Sequence, residues 1–198
     1  MQNLFFFSSR QGMSRLYKVS MIGVKGVGKS SMMLKHVHNI FPPTYEIMYD
    51  NSFRKRFTAN GDECIMDFMD PGEIQLLERF LEQYILQSSG IVLVYSVISR
   101  ESFDAIGKYY HEIITRKQDA VFILVGNKCD LDTTRQVSTE EGEELANTLK
   151  CTFFEISSKN GNNIDECFIE LGNQMKKYRE ENHDKFQGSV AQTVYKRK

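Results

Sequence analysis

The string Gly23-Val24-Lys25-Gly26-Val27-Gly28-Lys29-Ser30 follows a strand-like run and opens a helix-like one. Gly26 and Gly28 let the backbone curl until its N–H groups converge, and a helix N-terminus adds positive potential at the same point. That arrangement suits phosphate oxygens. Lys29 sets a charge against the β- and γ-phosphates of a nucleotide, and Ser30 offers a hydroxyl to Mg²⁺. The expected phosphate-binding stretch is Gly26, Val27, Gly28, Lys29, Ser30 and Ser31, with Lys29 the catalytic charge.

The phosphate loop does not choose a base. Asn127-Lys128-Cys129-Asp130 does, at the end of the apolar run from Phe122 to Gly126. A carboxylate such as Asp130 accepts hydrogen bonds from N1–H and the 2-amino group of guanine. Adenine has neither donor and would leave that carboxylate unpaired. The Lys128 stem is suited to lie over the ring, and Asn127 to tie loops together. Ser157-Ser158-Lys159 follows the last strand-like run, where backbone N–H groups can meet the guanine O6.

The rest of the sequence must hold these residues in place. Leu16 to Gly23, Ile91 to Val97, Val121 to Gly126 and Thr152 to Ser157 read as strands. Phe53, Lys55 and Phe57 share one strand face, and Cys64, Met66 and Phe68 another, with Asn60-Gly61 as a hairpin turn between them. Helices are expected from Lys29 to about Asn39, around Gln75 to Gln87, and from a Ser99 cap to about Lys117. Ser138-Thr139-Glu140-Glu141 is a capping box that opens another. In the final helix Ile164, Phe168, Leu171, Met175 and Tyr178 fall on one face. Strands separated by helices imply an α/β domain, its largely parallel sheet covered on both faces and carrying one antiparallel hairpin strand.

Composition narrows the function. The 198 residues carry 25 Lys plus Arg against 26 Asp plus Glu, a net charge of −1, which argues against a nucleic-acid-binding surface. A hydrophobic content of 41% supports a packed core. No apolar run approaches the ~20 residues of a membrane span. The four cysteines, Cys64, Cys129, Cys151 and Cys167, are widely spaced and indicate neither a zinc site nor a disulfide framework, so a reduced cytoplasmic setting is expected. His36 and His38 lie two apart on a helix, point to different faces, and read as surface or partly buried residues rather than joint metal ligands. The acidic run Glu140, Glu141, Glu143 and Glu144 reads as a solvated helix start that suits the helix dipole. Cys129 reads as an inert thiol, with redox sensitivity as the alternative.

Taken together, the phosphate loop, the hairpin, Asp70, LVYSVISRESF, VGNKCDL and ISSK stand in the order and near-spacing of one family. From Leu16 to Tyr178 the sequence resembles the Ras superfamily of small GTPases, and is most similar to Ras, Rap and Rheb. The resemblance implies a P-loop G domain with a six-stranded, mostly parallel sheet and about five helices on both faces. It would bind GTP or GDP with Mg²⁺, with Ser30 and Asp70 as the metal-side residues. It implies a G domain over 16–180, and the composition of the ends reads as a flexible leader over 1–15 and a flexible polar tail over 181–198. Phe41 falls where the family packs an aromatic edge on guanine, although its chemistry suits a buried loop anchor equally. Protein effectors or regulators would meet residues 41–53 and 70–84 of a monomer.

The resemblance breaks in the switch regions. Met48 stands where the first switch carries a Mg²⁺-binding threonine, and a thioether is a poor ligand for a hard cation. Thr44 could serve only if the loop slipped by four residues. The second switch reads Asp70-Pro71-Gly72-Glu73-Ile74 instead of Asp-x-x-Gly-Gln. Glu73 replaces a glycine whose N–H meets the γ-phosphate, and Ile74 replaces the glutamine that orients the attacking water. A one-residue shift would return Gly72 and Glu73 to those roles, but Gln83-Tyr84 supports the ungapped register. Lys25 either binds the γ-phosphate or blocks an arginine finger. The expectation is a guanine-nucleotide-binding protein of signalling or trafficking with slow hydrolysis. The alternative is a pseudo-GTPase interaction module whose nucleotide is structural. An ATP-dependent P-loop kinase or ATPase is disfavoured by NKCD and SSK. The family's terminal prenylated cysteine has no match in Val194-Tyr195-Lys196-Arg197-Lys198, so a cytoplasmic protein is expected, with peripheral membrane recruitment through a partner as the alternative.

Overall fold

A computed structural model describes residues 15–41, 52–59, 61–69 and 78–182. Strand β1 (Arg15–Ile22) alternates Tyr17, Val19 and Met21 against one core with Ile22 against the other. It is followed by α1 (Lys29–His38), then β2 (Ser52–Ala59) and β3 (Asp62–Met69), joined through Gly61 at φ 82°. Next come α2 (Glu78–Gln87), β4 (Gly90–Ser96), α3 (Arg100–Asp104), α4 (Ile106–Arg116) and β5 (Val121–Asn127). A short 3₁₀ turn (Asp132–Thr134), α5 (Thr139–Leu149), β6 (Thr152–Ile156) and α6 (Ile164–Glu181) complete the described chain.

The strands form one six-stranded sheet in the order β2-β3-β1-β4-β5-β6. Among the described residues only the β2–β3 strand pair is antiparallel; every other neighbouring strand pair is parallel. This is the α/β architecture expected from the alternation of strands and helices. Every residue of β4 is buried, as a central parallel strand covered on both faces must be. One core joins the sheet to α1 and α6 through Met32, Met33, Phe168, Leu171 and Met175. The opposite core takes Ile85 from α2, Ile106 and Ile113 from α4, and Ala146 and Leu149 from α5.

Local signals explain two helix starts. The Ser138 hydroxyl accepts from the Glu141 N–H at 3.2 Å while the Glu141 carboxylate accepts from the Ser138 N–H at 2.9 Å, so the capping box forms as its sequence predicts. Glu141 also pairs with Arg100 at 2.8 Å, which links the start of α5 to the start of α3. Glu141 is therefore more than a solvated acid: hydrogen bonding to Arg100, then to the Ser138 N–H, holds its carboxyl down at about 2. Ser99 caps α3, but the single helix expected from there to Lys117 is divided at Ala105, where φ −71° and ψ −20° tighten the turn.

His38 is exposed, as expected for that position, whereas His36 is buried more deeply than its sequence setting suggests. Its ring lies 5.6 Å from Phe68 and 4.4 Å from Phe168 by centroid. Nδ1 meets Asp165 Oδ1 at 2.6 Å, and the Lys55 ammonium donates to the His36 carbonyl at 2.6 Å and to Asp165 at 3.3 Å. Burial, with the Lys55 charge second, lowers the His36 pKa to about 4, against the opposing pull of Asp165. The imidazole is thus neutral in the fold at pH 7, suited to donate Nδ1–H to the carboxylate.

This histidine sets an acid limb. Between pH 6.5 and about 4 the unfolded chain holds a proton that the folded His36 does not, so its contribution is complete above pH 6.5 and lost as pH falls toward 4. From pH 7.5 to pH 5, wild type should lose roughly 2 kcal/mol more unfolding free energy than His36→Asn. Urea unfolding at the two pH values measures this, and an equal loss in both chains would assign the titration elsewhere.

Candidate nucleotide site

The loops that follow β1, β5 and β6 all leave the carboxyl ends of parallel strands, where open α/β sheets place their ligand crevice. The loop after β1 curls through left-handed glycines, Gly26 at φ 83° and Gly28 at φ 99°. Gly28 meets a second constraint, because a Cβ there would lie 2.2 Å from Asn127 Nδ2. Lys29 opens α1 almost fully buried, its ammonium donating to the carbonyls of Gly23 at 2.8 Å and Val24 at 3.1 Å. Its charge is therefore held against the loop it follows. Ser30 and Ser31 are half-buried on the same first turn, and Lys25 is exposed.

Asn127 is the last residue of β5 and is 1% exposed. Its Nδ2 donates to the Val27 carbonyl at 2.8 Å. Its Oδ1 accepts from the N–H of Lys128 at 2.8 Å, the N–H of Ser158 at 3.1 Å and the Ser158 hydroxyl at 3.0 Å. One carboxamide therefore joins all three loops. Lys128 takes the left-handed φ of 67°, and its ammonium donates to the Gly26 carbonyl at 2.6 Å. The lysine stem thus bridges from the β5 loop to the phosphate loop, and burial lowers its pKa against the pull of Asp130.

Asp130 Oδ1 accepts from the Ser157 hydroxyl at 2.6 Å, and the same Ser157 oxygen accepts from the Asn160 N–H at 3.0 Å. The Cys129 N–H donates to the Ile156 carbonyl at 3.1 Å. Burial pushes the Cys129 thiol up, so it stays protonated and its nucleophilicity is suppressed. Ser157 and Ser158 are buried and Lys159 is exposed. Phe41 is 43% exposed at the end of the α1 segment, beside Ile40 at 55%.

The structure thus gathers Gly26, Val27, Gly28 and Lys29 with Asn127, Lys128, Asp130, Ser157 and Ser158. Ser30, half-buried directly after the buried Lys29, offers a hard hydroxyl oxygen of the kind Mg²⁺ accepts. Thr44, Met48, Asp70, Gly72, Glu73 and Ile74 lie outside the described residues, as do the leader to residue 14 and the tail from residue 183. Three bonds were not readable from motif spacing: those from Lys29 to Gly23 and Val24, and that from Lys128 to Gly26. Arg135, which binds Glu155 at 2.6 Å, was missed altogether; no sequence motif pairs the two.

Truncating the carboxamide tests its structural weight. Asn127→Ala leaves the Val27 carbonyl and the Ser158 N–H without this partner. It should destabilise the fold by roughly 2–4 kcal/mol. Urea unfolding reports the change, and a loss below about 0.5 kcal/mol, the level of an ordinary surface substitution, would contradict the node.

The sequence profile of the Ras family matches residues 18–177. The chain is 38% identical over 168 residues to Ras-like protein rasS of Dictyostelium discoideum, covering 84% of this chain and 87% of that protein. It is 36% identical over 166 residues to Ras-like protein rasB of the same organism, covering 83% and 84%. The matched span runs from β1 to the later turns of α6 and takes in all three loops joined at Asn127, and by that match the chain belongs to the Ras family of small GTPases.

Proposed function

We propose that the chain binds GTP and GDP with Mg²⁺ in the crevice between its three loops and hydrolyses GTP slowly. The carboxamide of Asn127, bonded at once to Val27, Lys128 and Ser158, carries the reading of the site. It supports a single cleft in which phosphate-binding and base-binding segments share one anchor. In this reading Gly26 to Ser31 hold the phosphates, Lys29 neutralises charge near the γ-phosphate, and Ser30 and Asp70 stand on the metal side. Asp130 accepts from the guanine N1–H and 2-amino groups, with its carboxylate oriented by Ser157. Lys128 and Phe41 flank the base, and the backbone of Ser158 and Lys159 faces O6.

The slow chemistry rests on the sequence at Met48, Glu73 and Ile74. Met48 offers sulfur where a hard cation needs oxygen. The Glu73 carboxylate is repelled by a triphosphate, and Ile74 has no group to orient water. Nucleotide binding and hydrolysis are therefore separable here. The proposed domain spans 16–180, acts in the cytoplasm as a monomer, and meets an effector or regulator through residues 41–53 and 70–84. Among the described residues no helix is long and apolar enough to cross a membrane.

Two measurements check this function. In a single-turnover assay with Mg²⁺, GTP hydrolysis should run below the ~10⁻⁴ s⁻¹ scale of intrinsic Ras turnover. Hydrolysis at the Ras rate that is lost on mutating Glu73 would overturn the register. Asp130→Asn should weaken GDP binding by about a hundredfold or more and move preference toward xanthosine diphosphate. Unchanged selectivity in competition titrations would remove Asp130 from base recognition.

A further inference from the structure

We propose that Arg135 is a positioning residue for base selection, its ion pair with Glu155 fixing the segment that presents Asp130. The inference rests on the reading of Asp130 as the guanine-recognising carboxylate.

Between Asp130 and the buried Val137 the chain has little apolar anchorage. The 3₁₀ turn Asp132–Thr134 buries none of its residues, and Leu131 is 38% exposed. Polar bonds must therefore hold this stretch. Near Asp130 they are the Ser157 hydroxyl to the carboxylate, and the Cys129 N–H to the Ile156 carbonyl. At the far end the Val97 carbonyl accepts from the Gln136 and Val137 N–H groups at 2.8 and 3.1 Å and Arg100 donates to the Gln136 carbonyl at 2.6 Å, and Arg135 adds the tie to β6. Its Nη1 donates to Glu155 Oε1 at 2.6 Å and its Nη2 to Oε2 at 3.1 Å, the parallel fork geometry that fixes direction as well as distance. Nη1 also donates to the Val137 carbonyl at 3.1 Å, and Nε to Asp132 Oδ1 at 2.7 Å.

The pair is shielded, with side chains 20% and 16% exposed, unlike Asp132 at 79%. Water and salt screen it less than a surface pair. Glu155 stands two residues before Ser157 on β6, and its backbone lies across from Gly126, the residue before Asn127. Beneath, the buried Tyr95 ring packs against Gly126 and Gly142 so closely that a Cβ on either would come within 2.8 Å or less of the phenol oxygen. The arginine thus ties the outer end of the base-binding segment to the strand that leads into Ser157, the hydroxyl donor to Asp130. Losing that tie frees the carboxylate to drift from the base while the phosphate contacts remain.

Inosine diphosphate lacks only the 2-amino group of GDP, so the ratio of GDP to inosine diphosphate affinity reads the placement of the Asp130 carboxylate. Competition titrations on the full chain with Mg²⁺ should give a clear preference for GDP in wild type and a ratio reduced at least fivefold in Arg135→Met. Arg135→Lys, which keeps charge but not the fork, should recover part of it. Glu155→Gln provides the same test from the other partner if Arg135→Met fails to fold. Equal weakening of both nucleotides in Arg135→Met, with an unchanged ratio, would reduce Arg135 to a structural residue and overturn the proposal. Asp130→Asn separates the two readings. A ratio that changes in Asp130→Asn but not in Arg135→Met overturns the positioning role alone. A ratio unchanged in Asp130→Asn removes the base reading and the proposal with it.

Discussion

The buried carboxamide of Asn127 is the interaction on which the rest of the site depends. A side-chain amide at 1% exposure must find partners, because an unpaired buried donor or acceptor costs about 1–3 kcal/mol. Here the partners come from separate loops: Val27 O on one side, Lys128 N–H and Ser158 on the other. The fold makes this meeting possible. In a parallel sheet the loops after β1, β5 and β6 leave from the same edge, and one short side chain at the end of β5 can reach the other two. The demand runs back into the sequence at Gly28, where any side chain would collide with the amide.

Much of this was legible in the sequence because it is local. The curl of Gly26 and Gly28, the capping box at Ser138 and the alternation of Phe53, Lys55 and Phe57 each depend on a few neighbouring residues. The strand–helix alternation then fixes the α/β class. Apart from the Lys29 bonds to its own loop, the bonds that escaped prediction join distant positions. His36 read as a surface or partly buried residue because nothing nearby reveals that Phe68, Phe168 and Asp165 surround it. Arg135 and Glu155 carry no motif, and only the packing of β6 beside β5 brings them together. The division at Ala105 reflects a small tightening of one turn, below what residue preference specifies.

The division between intact and altered parts has a physical logic. The residues proposed to bind base and phosphate sit at the sheet's own strand ends, among bonds such as Lys29 to Gly23 and Ser157 to Asp130. The substitutions at Met48, Glu73 and Ile74 fall in segments whose family role is to respond to the γ-phosphate. In the proposed reading the chain keeps groups suited to a guanine nucleotide and lacks groups that orient water and bind Mg²⁺, which is the basis of the proposed slow hydrolysis.

The most direct measurement is a calorimetric titration of the nucleotide-stripped full chain with GDP and with ADP, each with Mg²⁺ at physiological salt. The two ligands carry the same diphosphate and differ in the base, so phosphate binding cancels in their comparison. If the three loops joined by Asn127 form one guanine-selective cleft, GDP binds at least a hundredfold more tightly than ADP. Equal affinities would contradict that cleft, leaving a phosphate loop that binds nucleotides without reading the base.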